Sequence, residues 1–162
     1  MRPSASGRKR GERQSETRLE LIRERCRATG LRLTIQRQVV IEALLELPDH
    51  PKADSIHALV SARLPGISRT TTYRTLEQLV RVGAIGKACH PGSAVRYDDR
   101  TELHHHLVCL RCEAMIDISD ARLDRLPVPD TSEFGFEVHD FRVQLQGLCR
   151  RCSAKSRKED SG

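Results

Sequence analysis

The sequence predicts an α+β chain with two parts: a helical N-terminal half that ends in a β-hairpin, and a smaller α/β C-terminal half stapled by metal. Three observations carry this expectation. Apolar residues recur at helical spacing from Leu19 to Val80, after which turn residues and short β-prone runs take over. Two Cys-x-x-Cys pairs, Cys109/Cys112 and Cys149/Cys152, occur only in the second half. Charge divides the same way: residues 1–96 carry 18 Lys/Arg against 9 Asp/Glu, whereas residues 97–162 carry 10 against 13.

Composition narrows the class. With 162 residues, 38% of them hydrophobic, and no Trp, the chain has room for two small domains with modest aliphatic cores. No run approaches the roughly 20 apolar residues of a membrane span, and no apolar stretch follows the basic N-terminus, so a cytoplasmic location is expected. A reducing compartment favours metal over disulfides for paired cysteines. The basic front half suggests a polyanionic partner, although an unevenly charged solvated surface would give the same count.

Taken in order, residues 1–15 are rich in Ser, Gly, Lys and Arg and are expected to form a disordered basic arm. Leu19, Ile22 and Cys26 then mark a first helix that stops at Gly30. A second helix is expected from Thr34 to Pro48, with Val40, Ala43, Leu44 and Leu47 inward. A third runs from Asp54 to the Pro65-Gly66 break. The fourth is capped by Ser68, buries Tyr73, Leu76, Leu79 and Val80, and stops at Gly83. Its first turns expose Arg69, Thr70, Thr71 and Arg74, all able to bond to phosphates or base edges. Ala84–His90 and Ala94–Asp98 then flank Pro91-Gly92-Ser93 as a hairpin. Helices followed by a hairpin describe a winged helix-turn-helix over 16–97, with the Ser68 helix entering a DNA major groove. An ordinary helical bundle would share this periodicity.

The second domain is expected over 98–152. Strands are predicted at His106–Val108, Ala114–Ile118 and Phe136–Leu148, with a short helix at Asp120–Leu126 and a charged tail at 153–162. Cys109, Cys112, Cys149 and Cys152 fit a closed tetrahedral zinc site of structural role, with redox thiols or unrelated core cysteines as the alternatives. Between Asp98 and Cys109 lie His104, His105 and His106. On a strand, His104 and His106 share a face and His105 points away. Asp117 lies on the next strand, and His50 sits in a turn of the first domain, where taken alone it reads as a loop histidine that spacing does not bring to the others. Three histidines and two aspartates would suit Fe²⁺, Mn²⁺ or Co²⁺ and accept zinc. Cys26 reads as core, and Cys89 as a packed or half-exposed thiol with a redox role as the alternative.

Several segments together resemble the ferric uptake regulator (Fur) superfamily. They are Thr34-x-Gln36-Arg37, His50-Pro51-x-Ala53-Asp54, Ser68-Arg69-x-Thr71-x-Tyr73-Arg74-x-Leu76, Arg96-Tyr97-Asp98, His104-x-His106-x-x-Cys109-x-x-Cys112 and Gly147-x-Cys149-x-x-Cys152. The resemblance spans about residues 18–153 and is greatest to the peroxide-sensing PerR branch, whose pattern Asp98 and Asp117 match. It implies a homodimeric, metal-dependent transcriptional repressor of a palindromic operator, not an enzyme. Implied structural-zinc ligands are Cys109, Cys112, Cys149 and Cys152; implied regulatory Fe²⁺ or Mn²⁺ ligands are His50, Asp98, His104, His106 and Asp117. His50 and His104 are the implied sites of oxidation. The implied DNA contacts are Arg37, Ser68, Arg69, Thr70, Thr71, Tyr73 and Arg74. At the position of a further metal-binding histidine in relatives this chain has Phe141, with His139 two residues earlier, leaving open a rearranged third site through His105 and His139.

Three alternatives remain at the level of sequence. An iron- or zinc-responsive regulator of metal uptake shares the fold. A zinc hydrolase would use a three-histidine site, but no general-base motif accompanies it. A redox-switched chaperone would explain the paired cysteines and leave the Ser68 helix and its wing without a role.

Overall fold

The computed structural model describes residues 5–48, 50–89 and 94–159, so Pro91-Gly92-Ser93 at the tip of the expected hairpin lies outside them, as do residues 1–4 and 160–162 of the expected arm and tail. The chain divides into two compact units, Met1–Thr101 and Glu102–Gly162. Asp98 therefore belongs to the first unit, not to the second where the sequence placed it.

The first unit holds four helices and a two-stranded sheet. Helix α1 runs Ala5–Ala28, α2 Ile35–Glu46, α3 Ala53–Arg63 and α4 Arg69–Arg81. The expected disordered arm is corrected from Ala5 onward, because α1 begins fourteen residues before Leu19, the first apolar marker of that helix. Arg, Lys, Glu and Gln are good helix formers even where no apolar stripe is present. Apolar periodicity reports packing, and the turns of α1 that carry it do pack: Ile22 and Cys26 are fully buried. Thr34 caps α2 by accepting the Arg37 N–H, and Ser68 caps α4 by accepting the Thr71 N–H at 3.0 Å. After α4, Gly83 takes φ +66°, the left-handed conformation that ends the helix.

Packing follows from these helices. Val40, Ile41 and Leu44 of α2, Ile56 and Val60 of α3, and Leu76 and Leu79 of α4 meet Ile22 and Cys26 in one core. The predicted inward stripe of α4 is corrected in part: Leu76 and Leu79 are buried with Thr72 and Thr75, while Tyr73 and Val80 are half-buried at the edge. Strands β1 (Gly86–Ala88) and β2 (Arg96–Asp98) pair antiparallel, with Lys87 opposite Tyr97, and form the wing expected after α4.

The second unit is a three-stranded sheet in the order β4-β3-β5, with β3 at His105–Cys109, β4 at Met115–Ile118 and β5 at Gln144–Gly147. β4 runs antiparallel to β3, and β5 runs parallel to it. Only four residues of the expected Phe136–Leu148 strand pair. The expected helix at Asp120–Leu126 is a run of turns instead: the Asp120 carbonyl accepts the Leu123 and Asp124 N–H groups at 2.8 and 3.0 Å and its carboxylate caps the Arg122 N–H at 2.9 Å, but Pro127 follows too soon for the winding to continue. The expected charged tail is helical to Glu159: α5, Arg150–Glu159, opens inside the second Cys-x-x-Cys.

These placements order the stability of the first unit. Leu76→Ala removes a fully buried side chain and is expected to cost about 2–5 kcal/mol in urea unfolding. Ser68→Ala removes only a cap and is expected to cost about 1 kcal/mol.

Candidate metal centre

The four cysteines converge within the second unit. β3 delivers Cys109, and the turn after it delivers Cys112. That turn closes with the Glu113 N–H donating to the Cys109 carbonyl at 2.9 Å and with Glu113 at φ +56°. The Leu110 N–H donates to the Gly147 carbonyl at 2.8 Å, which fixes the turn against the end of β5. Cys149 follows β5 and Cys152 lies in the first turn of α5. All four sulfurs lie within 4.8 Å of one another, and Cys112 Sγ is 3.8 Å from Cys149 Sγ. Zinc–sulfur bonds of about 2.3 Å in a tetrahedron put sulfurs about 3.8 Å apart.

Without a cation this cluster is electrostatically conflicted. Backbone N–H groups of Cys149 and Cys112 draw the Cys109 thiol down to about 6, while burial and the neighbouring thiols push Cys152 up to about 12. One site thus favours a thiolate and its neighbour resists one. A divalent ion compensates all four thiolates at once, so the donor set fits zinc with no open position.

A second convergence lies at the opposite end of β3 from Cys109. His104 Nε2 is 3.1 Å from His106 Nε2, and Asp117 Oδ1 is 3.7 Å and 3.8 Å from the two nitrogens. Sheet register produces this, since His106 pairs with Asp117 across β3 and β4. The His104 Nδ1–H donates to the Glu102 carbonyl at 2.7 Å, leaving the Nε2 lone pair aimed at the cluster. Nitrogen and carboxylate donors of this kind suit Fe²⁺ or Mn²⁺ better than the thiolate cage does.

The first unit places the other two predicted ligands side by side. His50 Nε2 lies 3.4 Å from Asp98 Oδ2, and both side chains are buried. His50 takes φ +53°, uncommon for a non-glycine residue. Three contacts hold it there: Arg96 Nη1 donates to the His50 carbonyl at 3.2 Å, the Tyr97 N–H to the Pro51 carbonyl at 3.0 Å, and Lys52 bridges Arg96. Spacing alone had no means of bringing His50 to Asp98. The β2 edge supplies it.

His105 faces away, as strand alternation predicts. Its Nδ1 accepts the Val143 N–H at 3.0 Å, which makes Nε2 the donor to Asp124 Oδ1 at 3.0 Å, and Phe141 stacks on the ring. His139 is exposed beside Glu137. Among the described residues no third group of ligands gathers, so a site through His105 and His139 is not assembled. Cys26 is buried and its thiol is pushed up by that burial, as a core cysteine; Cys89 is exposed.

Helix α4 presents Arg69, Thr70, Tyr73, Arg74, Glu77, Gln78 and Arg81 along one groove. Glu77, Gln78 and Arg81 were missed in the sequence, although they continue the Tyr73/Arg74 face by helical spacing. The Tyr73 hydroxyl donates to Asp54 Oδ1 at 2.9 Å, and Arg69 lies 3.5 Å from the same oxygen, so α3 orients both. Two predicted contacts have structural work as well: Ser68 caps the helix, and Arg37 ties α2 to Gln78 of α4 at 2.8 Å.

The thiol geometry gives one expected outcome. Cys109→Ser should abolish stoichiometric zinc by elemental analysis and leave the second unit open to limited proteolysis, since a structural zinc contributes on the order of 10 kcal/mol. Retained zinc with retained protection would refute the assignment.

The ferric uptake regulator family model matches residues 28–146. The chain is 33% identical over 145 residues to the ferric uptake regulation protein of Bacillus subtilis, covering 86% of this chain and 97% of that one. It is 30% identical over 126 residues to the peroxide-responsive repressor PerR of Staphylococcus epidermidis, covering 78% and 84% respectively. A solved zinc-bound manganese uptake regulator aligns at 27% identity with a TM-score of 0.61, over 79% of this chain and 98% of that one. With helices, wing, sheet and two ligand clusters in the order its sequence motifs require, this chain belongs to the ferric uptake regulator family.

Proposed function

We propose that this chain is a homodimeric, metal-dependent repressor that binds a palindromic DNA operator through α4 and is released by hydrogen peroxide. Membership of the family makes it a metal-responsive regulator and not an enzyme. The observation that carries the reading is the convergence of His104, His106 and Asp117 beside a separate cage of four thiols. The four thiols would hold zinc, and His104, His106 and Asp117 together with His50 and Asp98 would hold Fe²⁺ or Mn²⁺.

Those five ligands come from both units, so occupancy favours whichever arrangement of the DNA-binding units satisfies all of them. In a dimer that arrangement sets the spacing of two α4 helices to two half-sites. The dimer face we assign is the sheet side bearing Leu107, Ile116 and Leu145, which are exposed and opposite one another across β4, β3 and β5. Arg69, Thr70, Thr71, Tyr73 and Arg74 meet the DNA, with Arg37 and Ser68 at the helix entrance.

Fe²⁺ held there would activate hydrogen peroxide, the two-electron oxidant, so that one of its oxygens is added to a ligand imidazole carbon and the other leaves as water, and Mn²⁺ would not. His50 and His104 are the residues at risk. His104 is held by Glu102 with its Nε2 toward the cluster, so an oxygen added to its ring lowers the basicity of that nitrogen. The ligand set then fails and the DNA is released. PerR relatives at 30% identity and Asp117 support this signal. The 33% identity to a ferric uptake regulation protein favours a second reading, in which metal supply itself is the signal and no histidine is oxidised.

Peptide mapping separates the two. Dilute peroxide should add one oxygen to His50 or His104 in the anaerobic Fe²⁺ form and in no peptide of the Mn²⁺ form, with DNA release only in the former. Loss of DNA binding without an oxidised histidine would leave metal sensing. For the interface, Arg69→Ala and Tyr73→Ala should each weaken operator binding about 10-fold or more, with zinc content and sedimentation as a dimer unchanged. Operator affinity should also fall steeply with salt.

A further inference from the structure

The ligand strand of the first unit is wired to the DNA-facing groove by one side chain. Tyr97 is 2% exposed and sits between Arg96, which grips the His50 carbonyl, and Asp98, which faces His50. Its ring crosses to α4, where the hydroxyl donates to Glu77 Oε1 at 3.1 Å. The other oxygen of Glu77 takes Lys87 Nζ at 2.7 Å, and Lys87 is the register partner of Tyr97 in the wing. One carboxylate thus receives both strands of the wing.

Glu77 is an unexpected residue for that position. It lines the same groove as Arg69, Tyr73, Arg74 and Arg81, where a free carboxylate would repel phosphates. The Lys87 ammonium and the Tyr97 hydroxyl keep it ionised and turned toward the wing.

We propose that Tyr97 and Glu77 are positioning residues that pass metal occupancy at His50 and Asp98 to the DNA-binding face of α4. Resting on the metal-dependent reading above, the relay works as follows. A fixed Asp98 fixes β2, and the next residue, Tyr97, holds Glu77 away from the phosphates. When the ligands are released, β2 relaxes, the Tyr97 hydroxyl withdraws, and Glu77 turns its charge into the groove. The effect is electrostatic and needs no change in the recognition residues themselves.

The test uses the full-length, zinc-loaded protein and a palindromic duplex selected by this protein from a random pool. The readout is the ratio of DNA affinities with and without Mn²⁺. Tyr97→Phe keeps the ring and loses the donor; it should lower the ratio about fivefold or more by weakening the Mn²⁺-loaded complex. Glu77→Ala should lower the ratio from the other side, by strengthening metal-free binding. In the Glu77→Ala background, Tyr97→Phe should change nothing further. By reciprocity, the gain in Mn²⁺ affinity on adding DNA should shrink by the same factor in Tyr97→Phe, while Mn²⁺ affinity without DNA is unchanged. A merely structural tyrosine would lower both DNA affinities alike, and that result overturns the relay. So does a wild-type ratio in Tyr97→Phe, or an additive double variant. Absence of any Mn²⁺ effect in the wild type would remove the metal-dependent reading itself, and the relay with it.

Discussion

Crowding of four sulfurs is the constraint on which the second unit depends. Within it, few apolar side chains are buried besides Val108 and Met115, and two of the four cysteines share that interior with them. A sheet of three short strands with so little apolar content is marginal without a staple. The cage closes β3 to the junction of β5 and α5, two points that the chain reaches far apart in sequence. Because β3 is the central strand, fixing Cys109 also fixes the residues before it, and His104 and His106 inherit their position from the thiol site. Structural metal and regulatory ligands are thereby coupled through one strand.

The first unit solves a different problem, which is holding a charged helix in place. α4 is polar along its outer face, and its burial rests mainly on Leu76 and Leu79. Side-chain ties from every neighbouring element make up the difference: Asp54 of α3 takes Tyr73, Arg37 of α2 takes Gln78, and Lys87 and Tyr97 of the wing take Glu77. The Asp54 and Lys87 ties are exposed and each is weak alone, while those from Arg37 and Tyr97 are partly buried. Their joint effect is to orient the groove residues before DNA arrives, which reduces the ordering cost of binding. Arg25 of α1 adds a backbone tie by donating to the Val82 carbonyl at the end of α4.

How much of this was legible depends on range. Caps and stops are local, and Thr34, Ser68 and Gly83 marked α2 and α4 correctly from sequence. Alternation on a strand is local too, and it separated His105 from His104 and His106. The cysteine spacing pointed to the cage because two such turns have few other uses. Failures came where formation and packing part company. α1 and α5 extend through polar sequence that has helix propensity but no apolar stripe, so an arm and a tail were read in their place. The Asp120–Leu126 segment begins with a capped turn but is cut short before Pro127, and apolar spacing over so few residues does not tell such turns from a helix. Pairings across long separations, such as His50 with Asp98 or Glu77 with Tyr97, depend on tertiary packing, which no spacing encodes. The family resemblance supplied the first of these and was silent on the second.

The three consecutive histidines show why one strand can serve two metals without confusing them. A period of two sends His104 and His106 to one face with Asp117 and sends His105 to the other. His105 is then consumed: its Nδ1 accepts from Val143, just before β5, and its Nε2 donates to Asp124. A histidine with both nitrogens engaged offers no lone pair to a metal, so the face it occupies is closed to coordination in this tautomer. The same bond ties the segment leading to β5, and so to Cys149, back onto β3. Ligand softness completes the separation, since thiolates retain zinc while imidazole and carboxylate leave room for Fe²⁺ or Mn²⁺. The switching ligands are thus kept apart from the structural ones by strand geometry on one side and by donor chemistry on the other, and neither barrier requires the two sites to be distant.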